Sequence, residues 1–333
     1  MISDRVKTSA KFIMQNPGHV RINYAKLDTS AEWVFNNKSF DEFADSSNHP
    51  NQKDLLDIES YLFFTFATDA MNFCFWPFNK EYEDLTAFIK EHIKSGELSV
   101  KNLLLMSYNE FYELFVKLFD SDPYNQLEER FRILQELASV ISGDFNGSFK
   151  NVLLSANMDA SMLLKIVTEK LTSFQDHCIY RGRQVFFYKR AQILVGDVNE
   201  TLKAIAAYKD DLSEEDKFFA ENNKIGQGLS NINTLTCFAD YRVPQVLHML
   251  GLVEYTPSLQ ASIENKIVLP NGSEEESEIR AAMIHSIELL KEKIKEVYNH
   301  DLMSIEIDWI MWQYGEKHLK DSYPFHRTIG IYY

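Results

Sequence analysis

The segment TCFADYRVPQVL, residues 236–247, places an acid, a phenol and a guanidinium next to one another at the start of a predicted helix. Asp240, Tyr241 and Arg242 follow an apolar lead-in. Pro244 suits the first turn of a helix, where its missing N–H leaves no hydrogen bond unmade. Apolar residues and then a glycine follow, as expected of a packed helix and its C-terminal cap. Two interpretations stay open: a capped, salt-bridged helix start, or a site in which the carboxylate does chemistry.

A second polar group lies inside the aromatic segment TDAMNFCFWP. Asp69 and Asn72 are three residues apart and would share one face of a helix. Phe73 and Trp76 follow directly. The segment could be an ordinary aromatic core with a capping acid. It could also be a slot for a nucleobase, in which aromatic rings stack on the base while the acid and the amide bind its edge.

Two further segments offer cations. In FFYKRAQ, the side chains of Tyr188, Lys189 and Arg190 stand beside two phenylalanines. They predict either a helix whose cations reach water along apolar stems or a contact to phosphate or sugar. The C-terminal YPFHRTIGIYY adds His326 and Arg327, a cationic pair that could meet a phosphate or pair with surface acids.

Common signatures of catalysis and cofactor binding are absent from the sequence. It contains no phosphate-binding G-x-x-x-x-G-K-[ST], no G-x-G-x-x-G, no H-E-x-x-H and no G-x-S-x-G. The nine histidines show no metal-ligand spacing, and the three cysteines form no C-x-x-C pair. We therefore expect no metal, no cofactor and no disulfide framework.

Composition narrows the class of protein. The chain has 333 residues and a net charge of −15, which argues against a long nucleic-acid footprint but allows a local site for one phosphate. Aromatic residues make up 13%, enough for a large core or an aromatic-lined pocket. The most hydrophobic stretch, residues 61–78, contains Asp69 and Asn72, which makes a membrane span improbable. No signal peptide is evident, and we expect a cytoplasmic protein.

The pattern of residues predicts a mainly helical protein. Only 12 glycines and 8 prolines are present, too few for many short strands joined by turns. Helices are predicted near 3–15, 127–141, 158–172 and 187–206, after PNGSEEESE, and within SIEIDWIMWQYG. Residues 182–202 could also form a strand, and we favour the helix. Residues 208–228 are predicted to be mostly an exposed insert. We expect one compact unit with room for a small N-terminal lobe.

Four motifs together resemble the queuosine salvage family, the queuosine 5′-phosphate N-glycosylases. The motifs occur in matching order, and the resemblance runs from about residue 57 to the end, whereas 1–56 match only weakly. The motifs are MNFCFWP (71–77), FYKRAQILVGD (187–197), FADYRVPQVL (238–247) and the terminal PFHR (324–327) with IYY (331–333).

This resemblance implies a single domain over residues 1–333 with a compact helical fold similar to helix-hairpin-helix DNA glycosylases, and no cofactor. It implies hydrolysis of the N-glycosidic bond of queuosine 5′-monophosphate, which yields the 7-deazaguanine base queuine and ribose 5-phosphate. It also places Asp240 at the scissile bond, with Lys189 nearby. These two residues are the catalytic candidates.

The chemistry of this reaction assigns tasks to the other candidates. Cleavage passes through an oxocarbenium-like transition state, which a carboxylate under the ribose stabilises. A 7-deazapurine has no N7 to protonate, so hydrogen bonds to the base edge must help it leave. We expect these from Asp69 and Asn72. The remaining substrate-binding candidates are Phe73, Trp76 and Phe238 as stacking walls, with Tyr188, Arg190, Tyr241, Arg242, His326 and Arg327 for the sugar and phosphate.

Two other classes of function remain open. A glycosylase acting on a nucleic-acid polymer would need a basic groove, which the net charge disfavours. A non-catalytic helical module could hold a nucleobase without turnover. We expect a small nucleotide as the substrate, no stable nucleic-acid or membrane binding, and a monomer.

Overall fold

The computed structural model describes residues 2–38, 57–76, 81–119, 126–319 and 323–332, and α-helices dominate this part of the chain. The helices up to residue 170 are α1 (Ile2–Ile13), α2 (Leu27–Asn36), α3 (Ile58–Met71), α4 (Tyr82–Lys94), α5 (Val100–Leu105), α6 (Tyr108–Phe119), α7 (Leu127–Asp144), α8 (Phe149–Ser155) and α9 (Ala160–Lys170). The later helices are α10 (Lys189–Ala206), α11 (Glu214–Asn222), α12 (Val243–Met249), α13 (Pro257–Glu264), α14 (Glu274–Tyr298) and α15 (Ser304–His318).

Four short strands form two antiparallel pairs in the described residues. They are β1 (Val20–Ile22), β2 (His177–Tyr180), β3 (Arg183–Phe186) and β4 (Val253–Tyr255), with β1 paired to β4 and β2 to β3. The prediction of a mainly helical protein is thus confirmed. The ambiguous stretch at 182–202 contains both elements, because β3 ends at Phe186 and α10 begins at Lys189. The predicted helix start at 187 was early by two residues.

Helix α3 lies at the centre of the fold. From Tyr61 to Met71 every residue is buried, which is the expected position for a helix that is apolar on all sides. It packs against α7 and against α10. The hydroxyls of Thr65 and Thr201 are 3.0 Å apart, while Arg190, at the start of α10, bonds to carbonyls near the end of α3. The two helices are therefore antiparallel.

The C-terminal end of α3 is closed by two buried arginines. Arg130 donates to the carbonyl oxygens of Met71 (2.6 Å) and Phe73 (2.7 Å). Arg190 donates to those of Asp69 and Ala70. The last carbonyls of a helix lack partners within it and carry partial negative charge, so cationic donors stabilise this end. The segment that follows, which carries Phe73 and Trp76, is thereby held in place.

The long helix α14, in the C-terminal half of the chain, packs against helices from the N-terminal end. Helices α1 and α2 both pack against it. The carboxylate of Glu278 accepts hydrogen bonds from the backbone N–H groups of Gly18 and Val20 and from the hydroxyl of Tyr180. Residues near the N-terminus thus share the core of the C-terminal half. No helix in the described ranges combines the length and apolar character needed to cross a membrane.

The segment 208–228 is largely exposed, as predicted, but it is also folded. It contains α11, whose buried side includes Asp216 and Ala220. The carboxylate of Asp216 accepts hydrogen bonds from the Lys150 ammonium (3.1 Å) and from the backbone N–H of Ile58 (3.3 Å). This acidic segment therefore supports the start of α3.

Candidate active site

Asp240 lies three residues before Val243, the first residue of α12. Its Oδ1 accepts a hydrogen bond of 3.0 Å from the backbone N–H of Val243, and the residue is only 7% exposed. Pro244 lies in the first turn, and Arg242 forms an ion pair of 2.7 Å with Glu316. The salt bridge at this helix start is thus confirmed, whereas the N-cap residue of α12, Arg242, forms no side-chain capping bond. The backbone N–H groups of Val243 and Arg242 both stabilise the ionised carboxylate of Asp240 and oppose the rise of its pKa on burial.

Lys189 is positioned by the start of α10. Tyr188 adopts a left-handed conformation (φ 52°), and the next backbone N–H, that of Lys189, donates to the carboxylate of Asp176 at 2.9 Å. Arg280, from α14, holds the same carboxylate with two hydrogen bonds of 2.9 and 2.5 Å. Arg280 also donates to the carbonyl of Ala239, next to Asp240. A single buried ion pair therefore connects both catalytic candidates.

The two catalytic candidates perturb each other. Burial raises the pKa of Asp240 to about 6, and the nearby Lys189 ammonium opposes this rise. Burial lowers the pKa of Lys189 to about 8, opposed by Asp240. In the described part of the chain the two side chains form no direct ion pair. Near pH 7 the site therefore combines a carboxylate and an ammonium that act on each other's pKa without a direct ion pair, and perturbed pKa values of this kind are typical of functional sites.

The raised pKa of Asp240 predicts a dependence of stability on pH. A carboxyl group whose pKa is higher in the folded state than in the unfolded state destabilises the fold as pH rises from about 4 to about 6. We expect Asp240→Asn, which retains the Oδ1 acceptor, to match the native chain in stability near pH 4. Above pH 6 its free energy of unfolding should be higher by about 3 kcal/mol.

Urea titrations of both chains between pH 4 and pH 7 measure this difference. Asp301→Asn is the control, because Lys295 lowers the pKa of the exposed Asp301 and the effect of pH should then have the opposite sign. A difference that stays constant between pH 4 and pH 7 would contradict the raised pKa of Asp240.

Asp308, in α15, is a third buried acid at this site, and the sequence analysis missed it. Its Oδ2 accepts a hydrogen bond of 2.8 Å from the backbone N–H of Phe238. Burial and the neighbouring Asp240 raise its pKa well above the usual range. The acid within the otherwise apolar run IDWIM was the available signal, since a buried carboxylate is rare in a core.

Asp69 lies in the last turn of α3, and its charge, like that of Asp240, acts on Lys189. It is 1% exposed, and its Oδ1 accepts a hydrogen bond of 3.4 Å from the Asn72 side chain. Its Oδ2 has no hydrogen-bond partner among the described residues. Burial and the nearby Asp197 raise its pKa well above the usual range, while Asn72 and Lys189 oppose the rise. The predicted proximity of Asp69 and Asn72 is confirmed.

The three predicted stacking residues have different surroundings. Phe73 is buried, with the guanidinium groups of Arg130 and Arg190 over its ring at 4.1 and 4.9 Å from the centroid. Trp76 is half-buried beneath Arg327, at 5.3 Å. Phe238 lies against Gly196, where an added Cβ would come within 3.3 Å of the ring. Trp76 and Phe238 are therefore better placed to meet a ligand than Phe73.

The predicted cations also differ in what they already bind. Arg190 donates to three backbone carbonyls, and Arg242 bonds to Glu316 and Gln245. Burial and the neighbouring Arg280 lower the pKa of His326 to about 3, so this side chain is neutral at pH 7 and the expected cationic pair has only one cation. Arg327 stacks on Trp76 and Phe325, and its Nε has no hydrogen-bond partner among the described residues.

The two tyrosine candidates point to different surroundings. The ring of Tyr188 stacks on Phe186, and its hydroxyl lies near Arg5 of α1. The ring of Tyr241 stacks on Phe325 at 4.9 Å. Tyr241 also lines a cleft that adjoins Asp240 without including it, together with Pro244, Gln245, His248, Tyr255, Gln260, Ile263, Tyr323, Pro324, Phe325 and His326.

Two residues of the sequence motifs fall outside the part of the chain that the structure describes. Pro77 and Tyr333, which belong to the sequence motifs, lie outside the described residues. Within the described ranges, no three His, Cys, Asp or Glu side chains are grouped as ligands of a metal ion. The site is thus built from buried acids, one buried lysine and aromatic rings.

Comparison with known proteins assigns this arrangement to a family. Residues 48–333 match the family model described as queuosine salvage protein. A protein from Dictyostelium discoideum is 36% identical over 95% of this chain and 94% of its own length. One from Sphaerobacter thermophilus is 35% identical (80% and 79%), and one from Mus musculus is 28% identical (98% and 98%). All three are named queuosine 5′-phosphate N-glycosylase/hydrolase.

Proposed function

Because the chain belongs to the queuosine salvage family, we propose that it hydrolyses queuosine 5′-monophosphate to queuine and ribose 5-phosphate. One observation carries the proposal beyond the family match. Asp240 and Lys189, which are 51 residues apart in the sequence, are brought together as a buried carboxylate and a buried ammonium without a direct ion pair. A buried carboxylate and a buried ammonium of this kind suit the cleavage of an N-glycosidic bond, in which charge develops on the sugar and on the base.

In the proposed mechanism Asp240 acts on the sugar. As the bond between C1′ and the base nitrogen breaks, its electron pair moves to the base and positive charge develops on the ribose. The ionised carboxylate stabilises this charge and orients the water that attacks C1′. The water's hydroxyl remains on C1′, and a proton is gained by the base. Lys189 keeps Asp240 ionised by lowering its pKa.

The base is bound at the opposite end of the site. The Oδ2 atom of Asp69 has no hydrogen-bond partner among the described residues, and the side-chain amide of Asn72 lies beside the same carboxyl group. Acceptors of this kind suit the N–H donors along the edge of a 7-deazaguanine. Phe238 and Trp76 supply the flat apolar surfaces on which the base stacks. Phe73 supports the site from the interior.

Arg327 is our choice for the phosphate. Both Nη groups of Arg190 bind backbone carbonyls, Arg242 binds Glu316 and Gln245, and His326 carries no charge at pH 7. Arg327 has no ion pair with a described acid, and its stacking on Trp76 fixes the plane of the guanidinium. A planar guanidinium of this kind binds phosphate oxygens in pairs. Tyr241 and His326 can donate neutral hydrogen bonds nearby.

We therefore expect Arg327→Gln to raise KM for queuosine 5′-monophosphate by about tenfold to a hundredfold, the scale of a lost charge-assisted hydrogen bond. The free nucleoside lacks the phosphate, so its kcat/KM should change by less than about threefold. Steady-state kinetics on both substrates measure this difference. Equal losses on the nucleotide and the nucleoside would remove Arg327 from the phosphate site.

Other parts of the proposal concern the whole chain. We take residues 1–333 to form one domain that works as a cytoplasmic monomer, with a fold related to helix-hairpin-helix DNA glycosylases. The substrate is a small nucleotide, since the net charge of −15 repels polynucleotides. Sedimentation of the purified chain measures the oligomeric state, and salt-dependent retention on single-stranded RNA would favour a polymer substrate instead.

The activity itself is tested by incubating the purified chain with queuosine 5′-monophosphate and following the products by chromatography. We expect free queuine and ribose 5-phosphate in equal amounts. If a folded chain binds the nucleotide but releases no queuine, the site is that of a nucleobase-binding module without turnover.

A further inference from the structure

The segment that leads to Asp240 is buried, but it belongs to no helix or strand. Every residue from 235 to 240 is buried and irregular in conformation. The backbone groups of such a segment have no regular ladder, so other parts of the chain must supply their hydrogen bonds. Arg280, from α14, and Asp308, from α15, each bind one of its backbone groups. The position of Asp240 therefore depends on side chains from neighbouring helices.

Gln192, in α10, is a third side chain that holds this segment. The residue is 0% exposed. Its Oε1 accepts a hydrogen bond of 2.8 Å from the backbone N–H of Thr236, whose hydroxyl lies 2.9 Å from the same oxygen. Its Nε2 donates to the carbonyl oxygen of Phe187 at 3.2 Å. One amide thus joins the backbone four residues before Asp240 to the backbone two residues before Lys189.

The two partners of Gln192 require an amide in one orientation. The backbone N–H of Thr236 is a donor and must meet the amide oxygen, whereas the carbonyl of Phe187 is an acceptor and must meet the amide N–H. Gln192 also follows Lys189 by three residues in the same helix. The bridge therefore ties the start of α10 to the segment that carries Asp240.

We propose that Gln192 is a positioning residue that fixes the separation between the Lys189 ammonium and the Asp240 carboxylate. The inference rests on the proposed function. The two groups form no direct ion pair in the described part of the chain, so the backbone that carries each of them must set their distance. A displacement of about 1 Å in an active site can cost about a hundredfold in rate. Gln192 thus acts on bond breaking and not on binding of the nucleotide.

Gln192→Met tests this role, because methionine has a similar length but no N–H donor for Phe187. We expect kcat for queuosine 5′-monophosphate to fall at least about tenfold, while KM changes by less than about threefold. Asn199→Leu is the matched control. Asn199 is also buried in α10, and its Oδ1 accepts a backbone N–H at 2.8 Å, that of Leu229. The control should lose a similar amount of stability in urea and keep kcat within about threefold.

The pH profile of kcat/KM separates positioning from a loss of stability. Burial raises the pKa of Asp240 to about 6 against the effect of the Lys189 ammonium, so activity should fall as pH decreases through about 6. If the two groups move apart in Gln192→Met, this fall begins at a higher pH. Arg242 and Asp308, the other titratable side chains that interact with Asp240 here, are unchanged in the variant. A loss of stability alone would leave the profile where it is.

A folded Gln192→Met variant that keeps kcat within about threefold, or that keeps the native pH profile, would overturn the inference while leaving the hydrolase intact. If methionine prevents folding, Gln192→Asn replaces it. Asparagine keeps the amide but is one methylene too short to reach both Thr236 and Phe187, so the same two changes are expected. Absence of queuine release by the native chain would instead reject the proposed function. The shift in the pKa of Asp240 would then be measured from the pH dependence of stability.

Discussion

Asp240→Asn is expected to lower kcat/KM for queuosine 5′-monophosphate by at least about a hundredfold, the scale of one lost electrostatic group at a transition state. Asparagine has nearly the same volume as aspartate and keeps the Oδ1 acceptor for the backbone N–H of Val243. The hydrogen bond at the start of α12 therefore stays in place. In the proposed mechanism, the substitution removes the negative charge that stabilises the ribose as positive charge develops on it.

The measurement is the rate of queuine release by the native chain and the variant under the same conditions. Asp159→Asn is a matched control, because Asp159 also accepts a backbone N–H, that of Met162 at 3.0 Å, at the start of a helix. It should retain activity within about threefold. Queuine release that survives Asp240→Asn would preserve the enzyme but remove Asp240 from the centre of its mechanism.

Arg280→Met is expected to lower the free energy of unfolding by about 3–5 kcal/mol, the effect of removing one partner from a buried ion pair. The side chains of Arg280 and Asp176 are 2% and 3% exposed. Methionine leaves the Asp176 carboxylate buried without its guanidinium. That carboxylate also holds the backbone N–H of Lys189, so the start of α10 should loosen with it.

Urea denaturation measures this loss. The control is Arg21→Met, because the side chain of Arg21 is 77% exposed in its ion pair with Glu254, and exposed pairs contribute at most about 1 kcal/mol. A loss from Arg280→Met no larger than that of the control would contradict the structural role of the pair. The double variant Arg280→Met with Asp176→Asn should recover part of the stability, because it removes the unpaired charge as well.

Local sequence determined much of the secondary structure. Pro244 marks the first turn of α12, and Gly251 follows its end with φ 72°. The run of acids after Ser273 begins α14, with the Ser273 side chain accepting from the N–H of Glu276. These features depend on residues three or four positions apart, where caps and helix dipoles act, and so they can be recognised in the sequence.

The motifs of the sequence were also sufficient to nominate Asp240, Lys189 and Asp69. Each stands as a charged residue beside aromatic or apolar neighbours, and the family resemblance added the reaction. The sequence could not separate a buried cation that binds backbone from one free for a ligand. Arg190 was a phosphate candidate in the sequence, but in the structure it binds the carbonyls of α3. One of these belongs to Asp69, which lies 121 residues before Arg190 in the sequence.

Only the tertiary structure decided which residues meet. Asp197 and Asp308 belong to segments that read as ordinary helices, and they enter the site because α10 faces α3 and α15 packs against α12. Periodicity identifies the buried face of a helix but not the helix that covers it. The pKa of Asp240 likewise depends on burial and on Lys189, which are properties of the folded chain alone. The sequence thus determined which reactive groups the protein contains. Their protonation and their partners depend on how the helices pack against one another.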